Sequence, residues 1–137
     1  MLTIGDLSKR AGVKVPTIRY YEQMGLISAP DRTEGNQRRY EKADLERLTF
    51  IRHARDLGFP IDAIRELLTL SGHPEKPCER ADHIAREQLD YVREKIARLK
   101  KLEAELERIV SHGECHTIGD CYVIRALSDH GLCEHEH

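Results

Sequence analysis

The sequence predicts a mainly α-helical protein, and three observations carry that reading. Two short helix-forming segments meet at a glycine turn near the N-terminus. A stretch rich in Pro, Asp, Gly, Asn and Arg follows between Ser28 and Tyr40. From Arg80 to Val110, neither Gly nor Pro interrupts a chain of helix formers that carries one narrow apolar seam.

Thr3 is placed to cap a first helix running to Ala11, because its hydroxyl can accept an otherwise unpaired N–H of the first turn. Ile4, Leu7 and Ala11 share one face at helical spacing. Gly12 ends that helix by tolerating a left-handed backbone. A second helix opens at Val15-Pro16, since proline near the first turn forfeits no helical hydrogen bond. Two short helices around a tight turn make a helix-turn-helix pattern, which Met24-Gly25-Leu26-Ile27 closes. Ser28 to Tyr40 reads as a short hairpin or wing. A third helix spans Glu41 to Leu57 on Ala43, Leu45, Leu48, Ile51 and Ala54, and Gly58-Phe59-Pro60 breaks it. A fourth carries Ile61, Ile64, Leu67 and Leu68 and stops at Ser71-Gly72.

The long helix places Ala85, Leu89, Val92, Ile96 and Leu99 at alternating spacings of four and three, and Leu102, Leu106 and Ile109 continue the stripe. At 1.5 Å per residue it would extend about 45 Å, too far to fold back within so small a protein. Its narrow seam, flanked by Arg and Glu, calls for a partner helix, and a homodimeric coiled coil is expected.

Composition sets the outer bounds. The chain has 137 residues, 34% of them charged, with no Trp, 5% aromatics and a net charge of −2. No apolar run approaches the ~20 residues of a membrane span, and the first residues lack the basic and apolar blocks of an export signal. A cytoplasmic protein without a membrane partner is expected. The charge is uneven: up to Arg55, Lys and Arg outnumber Asp and Glu, and beyond it acids dominate. A basic head on an acidic body is a weak footprint of nucleic acid.

Ile4-Gly5-Asp6-Leu7-Ser8-Lys9-Arg10-Ala11-Gly12-Val13, Thr17-Ile18-Arg19-Tyr20-Tyr21-Glu22 and Gly25-Leu26-Ile27 closely resemble the MerR family of bacterial transcription regulators. So do Asn36-Gln37-Arg38-Arg39-Tyr40, Asp44-Leu45-Glu46-Arg47-Leu48 and Leu57-Gly58-Phe59-Pro60-Ile61. The resemblance is dense over the first ~70 residues. It implies a winged helix-turn-helix DNA-binding domain over 1–72, a long antiparallel coiled-coil dimerisation helix over 73–111, and a metal-binding loop, short helix and Cys/His-rich tail over 112–137. It also implies a homodimer on double-stranded promoter DNA that distorts the duplex for RNA polymerase when its signal binds.

Side-chain chemistry fits that implication. Thr17, Arg19 and Tyr20 lie at the start of the presumed recognition helix, where side chains reach base edges and phosphates. Arg32, Arg38, Arg39 and Tyr40 are expected to meet backbone phosphates further along the duplex. Tyr20 and Tyr21 could instead be core residues, Tyr21 the more readily.

Three of the four Cys (Cys115, Cys121 and Cys133) and five of the eight His (His112, His116, His130, His135 and His137) fall in residues 112–137, and Cys78 precedes the long helix. Clustered Cys and His in a reducing compartment argue for metal or redox chemistry rather than disulfides. His112 to Cys121 resembles the metal-binding loop of the metal-sensing MerR branch. In an antiparallel dimer the partner's Cys78 would join Cys115 and Cys121, with His116 or His112 as a further donor. A thiolate at Cys78, where the copper- and gold-sensing branch has Ser, implies a divalent soft metal: zinc first, then cadmium, lead or mercury. The alternatives within the family are Cu(I) sensing and redox sensing through a thiol or an iron–sulfur cluster, although a cluster would lack ligands. The Cys133-Glu134-His135-Glu136-His137 tail is either an accessory site or a frayed end. No general-base motif accompanies the Cys, so an enzyme is not expected.

Overall fold

A computed structural model describes residues 1–29, 39–113 and 116–129. Most of the expected wing lies outside the described residues, Arg32 and Arg38 included. So do Cys115 and the tail with His130, Cys133, His135 and His137. The described residues form six α-helices: α1 (Ile4–Ala11), α2 (Val15–Gln23), α3 (Lys42–Asp56), α4 (Ile61–Ser71), α5 (Glu79–Val110) and α6 (Tyr122–Ser128), with a 3-10 turn at Ile118–Asp120 before α6. The chain divides into two compact units, Met1–Gln88 and Leu89–His137.

In the first unit, local chemistry starts and stops each helix where the sequence suggests. The Thr3 hydroxyl accepts from the Asp6 N–H at 3.1 Å, and the Asp6 carboxylate accepts from the Thr3 N–H at 3.1 Å, a reciprocal cap. Gly12 sits at φ 69°, and a side chain there would also displace Arg52, whose Nη1 donates to the Ala11 carbonyl at 2.9 Å. The Asp44 carboxylate caps α3 by accepting from the Glu41 N–H at 2.8 Å.

Leu7, Ile18, Leu26, Ile27, Tyr40, Leu48, Ile51 and Ile64 are fully buried in one core with Tyr21, Ala54 and Leu68. Leu2 and Tyr40 exchange backbone hydrogen bonds of 2.8 and 2.7 Å as an isolated antiparallel bridge, pinning the end of the wing to the N-terminus. Arg47 donates to the Leu26 carbonyl, so α3 also holds the turn that follows α2.

Helix α5 is continuous, and its faces differ. Leu89, Val92, Ile96, Leu99, Leu102 and Leu106 are exposed as the seam requires, Leu99 by 62% and Leu106 by 60%. Ile109 departs from the expected stripe, being 6% exposed, whereas Val110 beside it is 72% exposed. The second unit's own burial takes in Glu105, Ile109 and Ala126 on α5 and α6. The apolar stripe therefore ends at Val110, one residue round the helix from where its spacing placed it.

Candidate functional site

The helix-turn-helix presents α2 with two contrasting sides. Ile18 and Tyr21 are buried, while Arg19 and Tyr20 are exposed and Thr17 is half-buried. Three of the expected DNA-contacting side chains thus lie within the first six residues of one helix whose back is anchored in the core. Tyr20 and Tyr21 are tilted at 52° with ring centres 6.0 Å apart, so the buried ring supports the exposed one. Arg39 is half-buried at the end of the wing.

Tyr40 corrects an expectation. Its ring is fully buried, and its hydroxyl donates to the Glu22 carboxylate at the end of α2. A side chain with no exposed surface does not present itself to a phosphate, and Tyr40 instead joins the end of α2 to Leu2. Sequence reading missed Glu22 in this role. The signal available was the one acid on α2, four residues after Ile18 and so on its buried side.

The candidate metal donors fall on both compact units. Cys78 is exposed, and its carbonyl accepts from the Asp82 N–H at the start of α5. Beside it, Phe50, Leu67, Leu70, Pro74 and Ala81 line an apolar cleft of about 310 Å³. Cys121 is half-buried between the 3-10 turn and α6, outside any disulfide. His112 and His116 are exposed.

Gly113, at φ 85°, turns the chain out of α5 directly after His112. The His112 Nδ1 lies 2.8 Å from the Arg108 carbonyl. A carbonyl only accepts, so Nδ1 is the donor in this contact, and in the neutral ring the lone pair is then the one on Nε2. Ligating imidazoles use this arrangement, with a backbone carbonyl fixing the tautomer. The His112 ring also stacks on Tyr122 at 3.6 Å and 6°. Arg108 donates from Nη1 to the Tyr122 hydroxyl at 2.8 Å and from Nη2 to Glu105 at 2.5 Å. Glu105 first, then Tyr122, raises the guanidinium pKa further above its ordinary value.

Among the described residues, no three His, Cys, Asp or Glu side chains gather around one point. The donor types nevertheless fit a soft divalent ion, since thiolate and neutral imidazole are what zinc-class ions take. The sequence offered no sign of the Glu105–Arg108–Tyr122 group, since an acid three residues before an arginine reads as a solvated pair.

Two family models match the chain: MerR HTH family regulatory protein over residues 2–70, and MerR, DNA binding over residues 45–109. The chain is 42% identical over 130 residues to the HTH-type transcriptional regulator ZntR of Escherichia coli K12, covering 93% of this chain and 92% of that one. It is 45% identical over 115 residues to the mercuric resistance operon regulatory protein of Pseudomonas fluorescens, covering 84% and 77%. Among solved structures, the transcription regulator PbrR691 of Ralstonia metallidurans CH34 in complex with lead(II) superposes with a TM-score of 0.79. That structure is 37% identical and is covered over 99% of its length and 93% of this chain.

Proposed function

Since the chain belongs to the MerR family of helix-turn-helix regulatory proteins, we propose that it is a metal-responsive transcription regulator that binds promoter DNA as a homodimer. Soft-metal binding distorts the duplex so that RNA polymerase can engage it, and the inducer is a divalent ion, zinc foremost, with cadmium, lead and mercury behind it. The protein acts in the cytoplasm; no helix among the described residues is long and apolar enough to cross a membrane.

The observation that carries this reading is the loop between α5 and α6. It sets His112, whose Nδ1 is engaged by the Arg108 carbonyl so that Nε2 is the ring nitrogen facing other partners, and Cys121 at its two ends, with His116 and Cys115 between them in the sequence. Lead(II) in the PbrR691 structure, and the mercuric resistance role of the Pseudomonas relative, support a metal as the signal. Cys115 and Cys121 of one chain with the partner's Cys78 make up the thiolate set, and His116 or His112 completes it as the imidazole donor. Thr17, Arg19 and Tyr20 read the operator, and Arg32, Arg38 and Arg39 clamp phosphates beside it.

The functional division is a DNA-binding domain over 1–72, a dimerisation helix over 73–111 and a sensor segment over 112–137. The exposed seam of α5 supports the homodimer, because a row of leucines with a valine and an isoleucine left in water is stabilised by a second copy of the same helix.

Transcription from the protein's own promoter, assayed against a panel of metals, tests the reading. Zinc is expected to induce most strongly in the wild type, and Cys78→Ser and Cys121→Ser are each expected to abolish induction. Full induction in both variants would overturn the site.

A further inference from the structure

Arg108 holds both ends of the sensor loop. Its backbone carbonyl accepts from His112 Nδ1 at 2.8 Å where the loop leaves α5. Its guanidinium donates to the Tyr122 hydroxyl at 2.8 Å, where the loop re-enters a helix directly after Cys121. The two ends then meet face to face, the His112 ring parallel to the Tyr122 ring at 3.6 Å. A single residue at the last turn of α5 is thereby tied to the residue adjoining one candidate donor and to the other donor itself.

The cost of seating Arg108 points to a role beyond stability. Glu105 is the buried charged residue among those described, at 5% exposure, and it receives Nη2 of Arg108 at 2.5 Å. Taking a carboxylate out of water offsets most of what its pairing returns, and well-packed apolar side chains often stabilise as well. A buried acid and a planar, forked base supply direction instead. With Nη2 fixed on Glu105, Nη1 points along one line, and that line ends at the Tyr122 hydroxyl.

We propose that Arg108, seated by Glu105, is a positioning residue that clasps the loop His112–Cys121 at its base, holding the two ends in register before a soft divalent cation arrives. The proposal rests on the metal-sensing reading of that loop. It assigns Glu105, Arg108 and Tyr122 no direct bond to the cation. The clasp removes from the binding event the cost of ordering the loop ends, so its loss appears as weaker affinity and altered coordination geometry.

Tyr122→Phe is the sharpest probe, because it keeps the ring and its stack on His112 while deleting the hydroxyl that Arg108 holds. Glu105→Gln is the second, removing the charge that seats Arg108. Hydrogen exchange on the metal-free, full-length protein is expected to show roughly tenfold or greater acceleration confined to residues 111–122 in both variants. Titration with cobalt(II) as an absorbing probe is expected to show affinity lowered about 10- to 100-fold, with changed d–d bands. Wild-type exchange rates and cobalt(II) affinity in both variants would overturn the clasp. So would acceleration spread evenly over α5, since that signals general destabilisation. A wild type that binds no cobalt(II) or zinc would overturn the metal reading instead, and the exchange experiment would still decide whether Arg108 orders the loop.

Discussion

The Tyr40 hydroxyl donates to the Glu22 carboxylate, joining the residue before α3 to the end of α2 in the core of the first unit. The same tyrosine pairs through its backbone with Leu2. One fully buried side chain therefore ties the end of α2 to the backbone bridge between Leu2 and Tyr40. Tyr40→Phe is expected to lower stability by about 1.5–3 kcal/mol, the range for a hydrogen bond to a charged group. Urea unfolding measures that loss. The slope of log affinity against log salt for promoter DNA should not change, because no phosphate contact is removed. A shallower slope in Tyr40→Phe would put Tyr40 back on the DNA.

Arg19 stands exposed on α2 beside buried Ile18, so its removal is expected to spare the fold and weaken the complex. Arg19→Ala should lower promoter affinity by about 1–3 kcal/mol if it reads a base, or flatten the salt slope by ~1 if it holds a phosphate. Either result, with unchanged thermal unfolding, supports the interface. Wild-type affinity and slope would remove Arg19 from it.

The α5 seam predicts an association phenotype. Leu99 and Leu106 are exposed by 62% and 60% within one chain, so a charge there costs the isolated chain little. Leu99→Glu combined with Leu106→Glu is expected to turn a dimer into a monomer in sedimentation equilibrium at micromolar concentration, while helix content in the first unit persists. A dimer that survives both charges must use another surface.

Acid should loosen the first unit in a defined direction. The Thr3 backbone N–H, then the Thr3 hydroxyl, hold the Asp6 carboxyl below its ordinary 3.8. Hydrogen bonding to Arg80 likewise holds Glu66 below 4.5. A lowered folded-state pKa means stability that is complete above the unfolded value and is lost as pH falls through the folded one. Chemical denaturation between pH 6 and 2 should therefore show a decline that begins near pH 4, and Asp6→Asn should flatten part of it. An equal decline in Asp6→Asn would show that the α1 cap contributes nothing to it.

Much of the fold was legible because its punctuation is local. Thr3, Gly12, Pro16 and Gly58-Phe59-Pro60 each act within one turn, and the helix ends fall at or next to them. The crowding of Cys and His beyond His112 stands out in the sequence because both residue types are uncommon, but among the described residues no three such donors meet. Tyr40 misled because a tyrosine after two arginines has the look of a phosphate contact. An amphipathic ring fits either core or surface, and only the packing of Leu2 and Glu22 around it decides.

Helical periodicity, capping chemistry and donor composition determined by themselves that this chain builds a helix-turn-helix, a partner-seeking rod and a thiol- and imidazole-bearing loop. Those properties arise from neighbours within a few residues, so the linear order carries them. Tertiary structure alone decided that Ile109 is covered while Val110 stays exposed, that Glu105 is drawn inward, and that Arg108 reaches Tyr122 and fixes the His112 tautomer. Periodicity names a face of a helix but not what lies against it. The α5 face that bears Glu105 acquires its meaning only when the chain returns beyond the loop and sets the Tyr122 hydroxyl against Arg108.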